Sequence, residues 1–439
     1  MELLHWISLV SECHHYHERN KTRIRNGKPC QRILGYDANA LYLWAISQDM
    51  PCGDHRVIPV YPEILQDVMN GSFFGQIECD IAVPEHLKEY FAEMPPIFKN
   101  VEITYNDLSH ETKAQVKPNY KSKKLVGSMF GKKMLFPTEL LKWYLEHGII
   151  VSNISYAVRY IRKTPFQEFA EQVSRERRAG DANPDHKVRG EMMKLIGNTS
   201  YGKCITNFLK HETVKFVTED NYNKNIRRNN YIGHQDLNQG FEFRYKKTYF
   251  KQSLPIHIGF QVYQLAKLRM LEFYYDFIDY YIDKSDYQYC MMDTDSDYIA
   301  ISGNCLEEVI KPSFKEEFKK NRHLWLGRDD TIKNKVYDSR TPGLFKLEYE
   351  GNCIISLASK MYYCDENKFS SKGINKKQNE ITKKKYVDAL KGNSTQEFVN
   401  NGFRVKNNQM NTYSLTKTGM KLFNDKRLRV GFQTFPTKL

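Results

Sequence analysis

Two apolar runs meet at Cys290-Met291-Met292-Asp293-Thr294-Asp295-Ser296-Asp297-Tyr298, and their pattern predicts two β-strands joined at the aspartates. Residues 32–37 predict a strand ending at Asp37. The apolar positions Leu41, Tyr42, Leu43, Ala45 and Ile46 then suit a helical turn packed on a core. Gly53 and the prolines at 51, 59, 62 and 84 break the following stretch into short elements, within which residues 75–83 read as a strand. A helix is predicted over 138–146 and stops at Gly148. Residues 166–178 and 185–201 predict an antiparallel helical pair, joined by the helix-stop and helix-start connector Ala179-Gly180-Asp181-Ala182-Asn183-Pro184. Arg175, Arg177, Arg178, Lys187, Arg189 and Lys194 crowd around this pair. The polar stretch over about 210–250 predicts a mobile insertion, and a helix over 261–282 leads back to the aspartates. Beyond Gly373 the chain is rich in Lys and Asn with weak periodicity, and no internal repeat is present.

The aspartates change this picture first. Side chains alternate faces along a strand, so Asp293 and Asp295 are expected to point the same way. Neighbouring carboxylates repel and lose hydration unless a cation joins them, and Mg²⁺ prefers such oxygen ligands. The same residue types also make ordinary hairpin turns. On the second helix of the pair, Lys187, Glu191, Lys194, Asn198 and Tyr201 fall on one face, which is expected to end at Tyr201-Gly202. Lysine neutralises phosphates as a point charge and tyrosine offers a flat surface to a base. A solvated helix face would show the same charges.

Composition narrows the partner. At 439 residues the chain can bury a large core and divide into subdomains. Its 66 Lys and Arg against 52 Asp and Glu leave a net charge of +14, which points to a polyanion, most simply nucleic acid. No apolar run approaches a membrane span of roughly 20 residues, and the first residues lack the basic region of a signal peptide. Nine cysteines without a CxxC pair suggest neither a zinc ribbon nor a secreted disulfide framework. An intracellular protein, nuclear or at a viral replication site, is the expectation. Cys13-His14-His15-Tyr16-His17 has no second ligand cluster and reads as a solvated basic lead-in.

Four segments in order carry a family resemblance. Asp37-Ala38-Asn39-Ala40-Leu41-Tyr42 resembles the first palm motif of family B DNA polymerases. Lys194-Leu195-Ile196-Gly197-Asn198-Thr199-Ser200-Tyr201-Gly202 resembles their fingers motif, Lys-x-x-x-Asn-Ser-x-Tyr-Gly. Asp293-Thr294-Asp295-Ser296 is similar to the third motif, and Lys360-Met361-Tyr362 to the Lys-x-Tyr motif that follows it. The resemblance runs from about Thr22 onward. The long spacers after Asp37 and after Gly202 look like the two terminal-protein-region insertions of the protein-primed branch. Gly127-Ser128-Met129-Phe130-Gly131 and Leu141-Lys142-Trp143-Tyr144-Leu145-Glu146-His147-Gly148 are similar to polymerases of Maverick/Polinton and adintovirus-like elements.

The resemblance implies an α+β right-hand polymerase fold: an antiparallel palm sheet, helical fingers, a thumb and two insertions. The implied division is a lead-in and palm over 1–54, a first insertion over 55–164, fingers over 165–203 and a second insertion over 204–255. Palm resumes over 256–364, and a thumb follows over 365–439. Asp37, Asp293 and Asp295 become catalytic, and with the Ala38 carbonyl they become ligands of two Mg²⁺ ions, for which Mn²⁺ can substitute. Tyr42 becomes the gate under the incoming sugar. Lys194 grips the triphosphate, Asn198, Tyr201 and Gly202 line the nascent base pair, and Arg178 and Lys187 are further triphosphate contacts. Thr294, Lys360, Tyr362 and Lys372 become DNA contacts. The implied partners are primer-template DNA, deoxynucleoside triphosphates and a terminal priming protein, with no membrane.

Ala40, Leu43 and Thr199 depart from the Ser, Pro and Ser usual in the family. Too few residues precede Asp37 for the exonuclease domain with its Asp-x-Glu site, so no proofreading is expected of this chain. That leaves a second reading open, a domesticated or catalytically impaired DNA-binding remnant. A reverse transcriptase is disfavoured, because Asp293-Thr294-Asp295 is not the paired-aspartate motif of that class.

Overall fold

The structure is a computed structural model that describes residues 23–329, 331–358, 360–391, 396–406, 409–430 and 433–436. The His-rich segment over 13–17 lies outside the described residues. A four-stranded antiparallel sheet forms the centre, in the order Tyr287–Asp293, Ser296–Ile301, Arg32–Ala38, Phe345–Gly351. Arg32–Ala38 is buried along most of its length, since neighbours flank it on both sides and helices cover one face. The expected helix over 261–282 begins earlier: Ile256–Glu272 is α-helical and Phe273–Asp279 continues it as a π-helix. Phe273 clamps this helix to the sheet, stacking on Phe345 at 3.6 Å and meeting Tyr36 edge-on at 5.7 Å.

The region after Asp37 forms its own sheet, ordered Met50–Ile58, Ile150–Lys163, Gly75–Ala82, Phe130–Pro137, with the hairpin Ile97–Thr104 and Lys121–Ser128 beside it. Met50–Ile58 runs across the boundary expected at 54/55. A register shift between Cys52 and Arg56 absorbs Gly53, so residues that read as breakers sit inside a strand. Helix Thr138–Glu146 ends as expected, with Gly148 at φ +73°.

The polar stretch over 210–250 is ordered. Glu212–Val217, Phe241–Lys246 and Tyr231–Asp236 form a three-stranded sheet, with Phe241–Lys246 in the middle. His234 stacks on Phe243 at 5.3 Å between the hydroxyls of Tyr222 and Tyr231. The aromatic side chains thus form a small core that a polar average conceals. Toward the C-terminus, Ile355–Ala358, Met361–Tyr363 and Phe369–Ser371 form a sheet that spans the boundary expected at 364/365. Helix Lys383–Leu390 and the long hairpin Gln396–Lys406/Gln409–Gly419 follow. The chain then returns to the region after Asp37, where Arg427 Nη2 donates to the Ala92 carbonyl and Lys124 pairs with Asp425. No described helix is long and apolar enough to cross a membrane.

The helical pair is Gln167–Ala182 and Lys187–Cys204. Both helices run further than the connector and the Tyr201-Gly202 end implied. Gly180 does not stop the first helix; it faces Gly190 of the second. A Cβ at Gly180 would lie 3.0 Å from the His186 carbonyl oxygen and 3.1 Å from the Gly190 Cα. The absence of a side chain therefore serves close helix contact rather than a turn. Gly180→Leu is expected to lower stability by about 1–3 kcal/mol, read as a shift in the urea unfolding midpoint. No shift would mean that the helices are not in contact at this point.

Candidate functional site

Register sets the first side chains. Asp37 sits opposite Ser296 on one side and Lys346 on the other. Ser296 Oγ donates to Asp37 Oδ1 at 2.9 Å, and Lys346 Nζ lies 3.2 Å from Asp37 Oδ2. Lys346 is shared with Glu348 at 2.7 Å.

Asp293 and Asp295 are not neighbours on a continuous strand, as alternation suggested. Asp293 ends its strand, and the Asp295 N–H donates to the Asp293 carbonyl at 2.9 Å across Thr294, whose φ is +68°. This is a γ-turn of the strained, positive-φ kind, held here by a β-branched residue. The same residues therefore form a hairpin turn and border a cavity. The turn separates the two carboxylates. Asp293 faces Lys360, with Oδ1 and Nζ 3.7 Å apart, while Asp295 lines a cavity with Asp37. The Ala38 N–H donates to the Asp295 carbonyl at 2.7 Å, which locks the two motifs together.

Electrostatics follow from this crowding. Burial pushes the Asp295 carboxyl up to about 7, and the charges of Asp37 and Asp293 push the same way. Burial also raises Asp37, against the opposing pull of Lys346. Among the described residues no group of three or more His, Cys, Asp or Glu side chains is arranged to hold a metal ion. What the site offers is a coupled pair, Asp37 and Asp295, with the Ala38 backbone between. A hard divalent cation suits this oxygen donor set, because it would relieve the repulsion that raises Asp295. A fourth aspartate, Asp297, points into the core on the opposite face of the sheet. It is 1 % exposed, neither oxygen has a hydrogen-bond partner among the described residues, and burial pushes its carboxyl well above its ordinary value.

The cavity, about 650 Å³, is closed on its other sides by the helical pair and the loops. Of the expected nucleotide residues, Ala38, Tyr42, Lys194, Asn198 and Tyr201 line it, as do Thr294, Lys360 and Lys372 of the expected DNA contacts. Tyr42 stacks on Tyr201 with ring centroids 4.5 Å apart, and Tyr263 of the long helix meets both rings edge-on at 5.9 and 5.6 Å. Four of the expected residues do not line it. Tyr362 is buried beside it and accepts a hydrogen bond from the Tyr298 hydroxyl at 3.4 Å. Gly202 lies inside the helix, and Lys187 is at its far, N-terminal end. Arg178 faces a separate cavity of about 930 Å³. It stacks on Tyr337 at 3.8 Å and donates to the Tyr337 carbonyl and to Thr341 Oγ1.

Arg177, Tyr263, Arg340, Lys346 and Glu348 line the cavity and were missed. Arg177 adjoins Arg178, and only the phase of the completed helix distinguishes them. Arg340 and Lys346 belong to no motif, and only strand pairing brings Lys346 to Asp37.

Asp295 supplies a pH test. Its folded-state pKa lies above the carboxylate value of 3.8, so the folded chain holds the proton more tightly than the unfolded one. Its contribution to stability is greatest below about pH 4 and is lost as pH rises through 7. Asp295→Asn, which carries no charge, is expected to match the native chain at pH 4 and to exceed it by about 2 kcal/mol at pH 8. Urea unfolding with a chelator present measures both. An equal difference at the two pH values would assign the effect to packing.

The comparisons with known proteins add to this geometry. Residues 20–298 match the family described as DNA polymerase type B, organellar and viral. Among solved structures the chain is similar to Phi29 DNA polymerase in an orthorhombic crystal form, with a TM-score of 0.50 and 13% identity over 94% of this chain and 64% of that one. Phi29 DNA polymerase complexed with primer-template DNA, a post-translocation binary complex, gives 0.48 and 14% over 95% and 61%. The chain thus spans less than two thirds of the length of either. No curated protein matches it in sequence.

Proposed function

The chain belongs to the organellar and viral type B DNA polymerases, and we propose that it performs template-directed DNA synthesis, adding deoxynucleotides to a primer 3′-hydroxyl. One observation carries this: Asp37, Tyr42, Lys194, Asn198, Tyr201 and Asp295, from three distant segments, converge on a single cavity.

On this reading Asp37, Asp295 and the Ala38 carbonyl, with Asp293 beside them, hold two Mg²⁺ ions, or Mn²⁺ in their place. Such ions, when bound, lower the pKa of the attacking hydroxyl and neutralise the leaving oxygens. The protein's own part is positioning and charge. Ser296 and Lys346 orient the Asp37 carboxylate. Lys194 meets the triphosphate as a point charge, and Lys187 lies further along the same helix. Asn198, Tyr201 and Gly202 border the nascent base pair. Tyr42, stacked on Tyr201, blocks a ribose 2′-hydroxyl by clash. Thr294, Lys360, Tyr362 and Lys372 meet the DNA on the primer side.

The right-hand division into palm, fingers, thumb and two insertions belongs to the same proposal and is supported by the likeness of the fold to Phi29 DNA polymerase. Protein priming, and replication of a linear Maverick/Polinton or adintovirus-like element within the cell, are supported by the two long spacers and the motif phrasing.

Primer extension with Mg²⁺ and four deoxynucleotides tests the function. Asp295→Ala is expected to reduce nucleotide addition at least about a hundredfold while salt-sensitive DNA binding persists. Undiminished synthesis by that variant would remove the assignment. No synthesis by the unmodified chain, with DNA still bound, would favour the DNA-binding remnant. Tyr42→Val is expected to raise ribonucleotide incorporation roughly ten- to a hundredfold, measured as the ratio of kcat/KM for the two sugars. An unchanged ratio would take the gate away from Tyr42.

A further inference from the structure

We propose that Arg340 and Arg177 form a second half of the triphosphate site, and that Asp181 holds Arg340 in the place a phosphate takes. The inference rests on the nucleotide reading of the cavity and goes beyond it, since none of the three residues lies in a motif.

Arg340 follows the helix Ile332–Asp338 on the sheet side of the cavity, whereas Asp181 is on the last turn of the helix Gln167–Ala182. They form a two-pronged pair, Arg340 Nε to Asp181 Oδ2 at 2.6 Å and Nη2 to Oδ1 at 2.9 Å. Arg340, Arg177 and Lys194 line the same cavity as Asp37 and Asp295. Arg177 makes no hydrogen bond or ion pair with any described residue. Burial and the neighbouring Arg340 charge both pull its pKa down, while Asp181 and Glu191 pull it up. Arg340 hydrogen bonding holds the Asp181 carboxyl below the usual carboxylate range.

Six cationic side chains, Arg177, Arg340, Lys194, Lys346, Lys360 and Lys372, line one cavity with three carboxylates, Asp37, Asp295 and Glu348. Lys346 and Lys360 are paired with carboxylates on the sheet side, and Arg340 with Asp181. Such an excess of like charge is costly unless a polyanion meets it. The planar fork that grips a carboxylate grips a phosphate with the same two N–H groups. A triphosphate arriving against Lys194 and Arg177 competes with Asp181 for Arg340, and the exchange releases a tether between helical pair and sheet. The loop itself stays in place. Arg178 holds it independently through Tyr337 and Thr341, which makes Arg178 a positioning residue.

Calorimetric titration of the full chain with a deoxynucleoside triphosphate and, separately, with inorganic tripolyphosphate tests the exchange. Arg340→Gln is expected to weaken both ligands at least about tenfold. Asp181→Asn is expected to tighten both, up to about fivefold, because the competitor is gone. Arg189→Gln removes a comparable pair with Glu176 away from the cavity and is expected to change neither. A pair that only braces the fold would make Arg340→Gln and Asp181→Asn shift affinity the same way, and that result would overturn the exchange. Failure of the unmodified chain to bind either ligand would instead overturn the nucleotide reading on which the exchange rests.

Discussion

Repulsion between carboxylates at the end of one buried sheet is the constraint around which the site is built. Asp37 and Asp295 share a cavity, and Asp293 is close enough to raise Asp295 further. In a low-dielectric setting this arrangement is stable only where cations are brought to it. Lys346 comes from the strand beside Asp37, and Lys360 from the segment beyond that strand. The central sheet places Lys346 against Asp37 by register, whereas Lys360 reaches Asp293 from a separate sheet.

The backbone around the cavity is also under strain. Ala40, Thr294 and Lys360 have φ of +44°, +68° and +59°, a region that residues with a side chain rarely adopt. All three line the cavity. Strain of this kind persists only where surrounding contacts over-determine it. Those contacts are visible: the Ala38 N–H to the Asp295 carbonyl, the Trp44 N–H to the Ala40 carbonyl, and the Lys372 N–H to the Lys360 carbonyl. Each turn that aims an acidic or basic group is thus held by its own backbone hydrogen bond.

The opposite wall obeys a different rule. The helical pair owes its closeness to Gly180 and Gly190, and it presents Arg177 from its first helix and Lys194, Asn198 and Tyr201 from one face of its second. Its polar links to the sheet side are few, chiefly Arg178 to the segment at 337–341 and Arg340 to Asp181, beside the apolar stack of Tyr201 on Tyr42. Around the long helix the contacts are instead aromatic and dry, with Phe273 on Phe345 and Tyr263 against Tyr42. The helical wall is thus tied to the sheet side of the cavity by one ion pair and the hydrogen bonds of Arg178.

Local sequence determined the strands at Asp37 and Asp295, the helical pair and the helix before Gly148, whereas Ala38, Tyr42, Lys360 and Lys372 were named through the motif resemblance. Each of those elements is written in apolar periodicity or in a short run of residues that meet one another nearby. It misjudged the ends of the paired helices, because a glycine reads as a stop whether it turns the chain or admits a neighbour. It also missed the sheet over 212–246, whose core is a few aromatic side chains within a polar stretch. Tertiary structure alone decided that Asp293 turns to Lys360 while Asp295 joins Asp37, since a single γ-turn overrides strand alternation. It alone brought Lys346, Arg340 and Tyr263 to the cavity and took Arg178 out of it. Those placements depend on register between strands far apart in the chain and on one residue of helix phase, neither of which a local pattern encodes.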